Sequence, residues 1–273
     1  MIYSLHGVTK VYAARTGVVQ ALNGVNLDVS AGECVALIGR SGVGKSTLFR
    51  LLNATQRPSA GSLRFDGAVV NEMSSRQLRS MRRRVGTVYQ QHYLVPSLSV
   101  LDNALCGRLG SWSLLRTLTS FVSPPKEEVE RAVAVLDSVG LADKCRARAD
   151  ELSGGQQQRL AIARALIQQP DVILADEPVA SLDPALAESI TNLLVRLVTE
   201  GKRTLIVSLH SVELARCHFP RIVGLRRGSV AFDVPPASLH TELLDEVFRP
   251  DGPQIKDITP ADASPRYQIR CSH

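Results

Sequence analysis

Short apolar runs separated by glycine mark the first seventy residues. Residues 2–5, 18–22 and 25–29 are β-prone, and Gly7, Gly17, Gly24 and the Ala31-Gly32 turn interrupt them. The run Glu33-Cys34-Val35-Ala36-Leu37-Ile38 then reads as a buried strand, residues 46–52 as a helix, and residues 61–67 as a further strand. Together these predict a mostly antiparallel sheet beside an α/β core. Residues 85–90 form one more strand, after which the period turns helical to about residue 164. Val129, Ala132, Val133, Leu136 and Val139 have amphipathic spacing, with Pro124-Pro125 ahead and Gly140 behind. This predicts a helical insertion. A helix over 157–168 follows, closed by Pro170. Val172-Ile173-Leu174-Ala175 is apolar throughout and ends in Asp176-Glu177, as a parallel strand covered on both faces would. A helix starting at Pro184 and running to about residue 200, a buried strand over 204–208, a hairpin of 221–225 with 228–233, and a last helix over 237–248 complete the pattern. Residues 251–273 are polar and proline-containing, and read as a loosely attached tail.

The chemistry concentrates between the strand at 33–38 and the helix after it. Gly39-Arg40-Ser41-Gly42-Val43-Gly44-Lys45-Ser46-Thr47 fits G-x-x-x-x-G-K-[ST] in the strand–loop–helix context that gives the motif a mechanism. Its glycines let backbone N–H groups converge on an anion, and the helix start adds its dipole. Lys45 would reach the β- and γ-phosphates, and the Ser46 hydroxyl would ligate Mg²⁺. The competing reading is a glycine-rich turn that happens to carry a lysine. Asp176 and Glu177 fall at the carboxyl end of a parallel strand, where open α/β sheets bind ligands. From there Asp176 can hold Mg²⁺ through water, and Glu177, differently directed, can polarise an attacking water. His210 ends the next strand, which turns a histidine that would otherwise be structural into a candidate γ-phosphate contact. Tyr12 could stack on an adenine ring or simply close a strand by packing.

Composition narrows the class. With 273 residues, 44% hydrophobic and 21% charged, the chain reads as one globular unit or a core with a subdomain. No run approaches the roughly 18 to 20 apolar residues a membrane span needs, and the first residues lack a signal-peptide pattern, so a cytoplasmic location is expected. Five scattered cysteines with no C-x-x-C pair indicate neither a disulfide framework nor a zinc site. The formal charge of +6 is spread along the chain apart from Arg79 and Arg82-Arg83-Arg84, read as the solvated face of a short helix after Ser74-Ser75. Only 4% of residues are aromatic and none interleave with the basic cluster, so a base-stacking platform is not supported and no nucleic acid is expected. The segment 107–122, which carries Trp112, is either an internal hairpin or an exposed apolar surface for a partner.

In their order these motifs resemble an ABC transporter ATPase subunit. Walker A spans 39–46, Gln90 stands as the Q-loop glutamine, and Leu152-Ser153-Gly154-Gly155-Gln156 is the signature. Walker B spans 172–176 with Glu177 after it, Ser181-Leu182-Asp183 is the D-loop, and His210 is the switch histidine. The signature is decisive, because many NTPases have a phosphate loop and few have this pentapeptide just upstream of Walker B. The resemblance implies a P-loop NTPase (RecA-like) α/β core with an antiparallel β subdomain and an inserted α-helical subdomain at about 91–164. The nucleotide-binding domain would span 1–248, with 249–273 as a polar tail.

It also implies ATP and Mg²⁺, with Gln90 joining Ser46 and Asp176 at the metal, and a head-to-tail pair of subunits. Ser153, Gly154, Gly155 and Gln156 of one copy would serve the nucleotide on the other's phosphate loop. Permease subunits, and through them an extracytoplasmic solute-binding protein, would complete the complex on the cytoplasmic face of the membrane. A narrower likeness, to ATP-binding subunits of phosphonate importers, rests on Gln90-Gln91 with Leu94-Val95, Gly107-Arg108-Leu109-Gly110, Gln156-Gln157-Gln158-Arg159 and the run from Ala175 to Pro184. One departure is Val234 after Asp233, where relatives often have glycine. Alternatives are an importer for another small anion or a polar amino acid, a soluble ABC-type ATPase of DNA repair or ribosomes, and a simple P-loop kinase.

Overall fold

A computed structural model describes residues 1–14, 17–112 and 124–249. Among them two sheets form. The first, in the order β2-β1-β4-β5, is antiparallel and is built from β1 (Tyr3–Ala14), β2 (Gly17–Val29), β4 (Ala60–Phe65) and β5 (Ala68–Val69). The second has the order β10-β9-β3-β8-β7-β6, from β3 (Cys34–Ile38), β6 (Val85–Tyr89), β7 (Val172–Asp176), β8 (Thr204–Leu209), β9 (Arg221–Arg226) and β10 (Ser229–Val234). All of its pairings are parallel except that of the closing strand β10 with β9. The architecture is the α/β P-loop NTPase arrangement with an antiparallel sheet beside it.

The strands of the parallel sheet alternate between two cores. Ala36, Ile38, Ile173, Ala175, Leu205 and Val207 face one, while Val35, Leu37, Val172, Leu174, Ile206 and Val223 face the other. This follows from the two-residue period of a strand buried on both sides. On the second face lie the antiparallel sheet, α1 (Lys45–Leu52) and α2 (Ser75–Arg83). On the first pack α3 (Val100–Leu105), α5 (Gly154–Ile167), α6 (Pro184–Glu200), α7 (Val212–His218) and α8 (Thr241–Phe248), with α4 (Lys126–Ser138) joining through Leu136. No described helix is long and apolar enough to cross a membrane.

Several local expectations change. The first sheet has two long strands where three short runs are read from the sequence. Gly7 and Gly24, at φ +60° and +61°, sit at register shifts of the β1–β2 ladder and are absorbed as bulges instead of ending strands. The last helix starts at Thr241, because Pro236–Ser238 forms a 3₁₀ turn and the Leu239 carbonyl is taken by Arg216. The basic cluster is more than a solvated face. Ser74 caps α2 in a reciprocal box with Gln77, but Arg82 donates to the Ala54 carbonyl, and Arg84 pairs with Asp66 at 2.9 Å and Asp171 at 2.5 Å while lying over Phe65. Trp112 packs against Leu105, Ala132 and Ile167, while Gly110 and Ser111 before it are exposed; residues 113–122 lie outside the described residues.

Candidate functional site

The loop 39–44 leaves the end of β3 and enters α1 at Gly44, which has φ +113° and offers no side-chain cap. A Cβ there would lie 2.5 Å from the Ala21 carbonyl oxygen, and one on Gly39 would lie 2.6 Å from that of Leu225. Only glycine lets the loop press this closely against β2 and β9. The first-turn N–H groups of α1 have no backbone partner among the described residues, which leaves an anion-binding helix start. Residues 40–43 and Thr47 form the open wall around it; Arg40, Ser41, Gly42 and Ser46 are exposed or nearly so, and Val43 packs at the edge of the core.

Lys45 folds back beneath this loop. It is 4% exposed, and its Nζ donates to the carbonyls of Gly39 (2.8 Å) and Arg40 (3.2 Å). Burial pushes its pKa down, and the nearby Glu177 and Asp176 carboxylates oppose that shift. Nζ stands 3.5 Å from Glu177 Oε1, and the same oxygen meets His210 Nε2 at 2.7 Å. Lys45 from α1, Glu177 after β7 and His210 after β8 therefore converge on one carboxylate oxygen. Glu177 reaches that position with φ +50°, a left-handed conformation disfavoured for a side-chain-bearing residue, so the surroundings hold it there.

One of those restraints is Ser208, which the motif reading does not single out. Its Oγ donates to Asp176 Oδ1 at 2.8 Å and accepts from the Glu177 N–H at 2.8 Å. The β7–β8 register places Asp176 opposite Ser208. The available signal was a serine closing the apolar run Leu205-Ile206-Val207, two residues before His210.

Ser46, Gln90 and Asp176 line one cleft of about 620 Å³, with Asn53, Gln56 and Tyr89. They offer a hydroxyl, an amide oxygen and a carboxylate, an all-oxygen set that suits a hard divalent cation retaining other ligands. Among the described residues no group of three His, Cys, Asp or Glu side chains forms a metal cage. Tyr12 donates its hydroxyl to Gln56 of this cleft, and its ring lies 5.3 Å from Lys10 Nζ.

Ser153, Gly154, Gly155 and Gln156 stand apart from all of this, with no hydrogen bond to residues 39–47 among the described residues. Ser153 caps α5, its Oγ accepting from the Gln156 N–H while Gln156 Oε1 accepts from the Ser153 N–H. Gly155 lies against Leu186 of α6, where a Cβ would approach to 2.7 Å. Asp183 caps α6 through the Leu186 N–H, and Ser181 is exposed in the turn before it.

The chain is similar to known proteins. The family described as ABC transporter matches residues 22–180. The phosphonates import ATP-binding protein PhnC of Anaeromyxobacter dehalogenans is 48% identical over 90% of this chain, which spans 48% of that relative's length. PhnC of Pseudomonas fluorescens is 44% identical over 94% of this chain and 96% of its own. Among solved structures, a dimeric bacterial ABC transporter cassette superposes with a TM-score of 0.76 at 33% identity, covering 87% of this chain and all of that one. A dimeric cassette in a post-hydrolysis state with ADP and Pi gives 0.73 at 34% identity over the same shares.

Proposed function

The chain belongs to the ABC transporter family, and from that premise we propose that it is the ATP-hydrolysing subunit of an importer for phosphonates. The observation that carries the catalytic reading is the meeting of Lys45, Glu177 and His210 at a single carboxylate oxygen, beside the cleft of Ser46, Gln90 and Asp176. The loop 39–47 binds the phosphates through its N–H groups, and Lys45 exchanges its carbonyl partners for phosphate oxygens, bringing a buried cation to a developing anionic charge. Tyr12 stands at the adenine. Ser46, Gln90 and Asp176 would hold Mg²⁺, which when bound would supply neutralisation of the phosphate charge. Glu177 accepts a proton from the attacking water as the β–γ bridge opens to ADP and phosphate. His210 holds the Glu177 carboxylate in place, and Ser208 fixes its backbone.

Ser153 and Gly154 are exposed and make no hydrogen bond to the phosphate loop of their own chain, which supports a second copy placed head to tail. Ser153, Gly154, Gly155 and Gln156 would then serve the partner's nucleotide, with Ser181 and Asp183 at the seam. Residues 1–248 act as the nucleotide-binding unit, with the part at about 91–164 facing the permease and 249–273 as a tail. The complex sits on the cytoplasmic face of the membrane and receives cargo from an extracytoplasmic solute-binding protein through the permease. No nucleic acid takes part.

Glu177→Gln tests the core of this reading. The variant keeps the size of the side chain and loses the base, so ATP binding should stay intact while phosphate release falls by about 10²- to 10⁴-fold. With ATP and Mg²⁺ it should elute as a stable dimer. Wild-type turnover would remove Glu177 from the mechanism.

A further inference from the structure

Arg164 lies in the last turn of α5, the helix that begins at the signature, and its guanidinium leaves the helix for the loop after β6. There Nη1 donates to the Tyr93 carbonyl at 2.5 Å and Nη2 donates to that of His92. His92 and Tyr93 are consecutive and both left-handed, at φ +45° and +47°, with no glycine to relieve them. That conformation aims two successive carbonyls at one planar fork. Arg164 has no carboxylate partner among the described residues, and burial lowers its pKa against the opposing pull of Cys106 and Tyr89. A half-buried cation spent on two backbone oxygens is an expensive fastening for an ordinary loop.

Three further contacts make the fastening rigid. Gln158, on the same helix, is fully buried; its amide lies near the His92 ring and makes no hydrogen bond among the described residues. On the other side Gly107 abuts the Arg164 carbonyl so closely that a Cβ would come within 2.1 Å, so α5 cannot slide there. The Tyr93 ring packs edge-on against Tyr89 at 5.2 Å, and Tyr89 and Tyr93 flank Gln90 in the wall of the cleft with Ser46 and Asp176.

We propose that Arg164 is a positioning residue that locks the Gln90 loop to the signature helix, so that the Gln90 amide and the Ser153 turn move as one piece. This rests on the reading that Gln90 serves the metal-bearing cleft and Ser153 a partner's nucleotide. An ammonium is a compact point charge on a flexible stem and lacks the fixed, planar pair of donors that a guanidinium presents, so charge alone does not hold the same geometry.

The test measures hydrolysis by the full chain against Mg²⁺ concentration for wild type, Arg164→Lys, Gln90→Ala and the double variant, with ATP affinity and Tm recorded for each. Arg164→Lys should bind ATP within about twofold of wild type, lose about tenfold or more in kcat, and need severalfold more Mg²⁺ for half-saturation. The double variant should be no worse than Gln90→Ala alone, because Arg164 acts through Gln90. A change in Tm alone, or losses that multiply in the double variant, would overturn the proposal. Should Arg164→Lys not fold, Gln158→Met, which keeps the volume, tests the same tie with the same expected split. If Gln90→Ala leaves the Mg²⁺ dependence unchanged, the reading of the cleft is wrong and the proposal falls with it.

Discussion

Lys45 and Ser208 show how differently single residues betray themselves. Lys45→Ala removes a buried cation that meets only carbonyls and one carboxylate, so the fold should survive while ATP affinity falls and turnover is lost. Equilibrium binding of ATP beside a thermal melt checks both halves of that statement. Ser208→Ala should behave in the opposite way. It strands the Glu177 N–H and an Asp176 oxygen, costing about 1–3 kcal/mol of stability, and frees the carboxylate that Lys45 and His210 share. A lower Tm, a reduced kcat and near-normal ATP binding are expected. Lys45 was legible because its loop is a local spacing. Ser208 was not, because its role comes from β7 lying beside β8 with Asp176 opposite Ser208, and strand order is a long-range property that no local pattern carries.

Ser153 carries two roles within one element. It caps α5 and it opens the signature, so the two duties must be separated before a variant is interpreted. Ser153→Arg removes the cap and inserts a long cation. It should lower Tm by the few degrees that correspond to about 1 kcal/mol and also block ATP-driven dimerisation. Ser153→Asp keeps a good cap but sets a negative charge against phosphate, so it should melt like wild type and still fail to dimerise. Size-exclusion with ATP and Mg²⁺ alongside calorimetry distinguishes them; two variants that dimerise normally would remove the signature from the nucleotide site. Most elements could be read from the period of apolar residues, which buried strands such as Val172–Asp176 preserve. The bulged strands of the first sheet could not, because Gly7 and Gly24 look the same in sequence whether the ladder stops or merely shifts register.

At the scale of the whole molecule, β3 belongs to both cores at once. Val35 and Leu37 close one and Ala36 and Ile38 the other, with the phosphate loop hanging from the strand's end. Neither core can open without baring the back of the strands that seal its neighbour. Despite a size at which many chains melt in stages, the described body should therefore unfold in a single cooperative step, its calorimetric enthalpy matching the van't Hoff value. Leu52→Ala on one side and Leu160→Ala on the other, each costing about 2–5 kcal/mol, should shift that one transition downward together instead of splitting it. Two resolved heat-absorption peaks would mean that the cassette is thermodynamically two bodies that happen to share a wall.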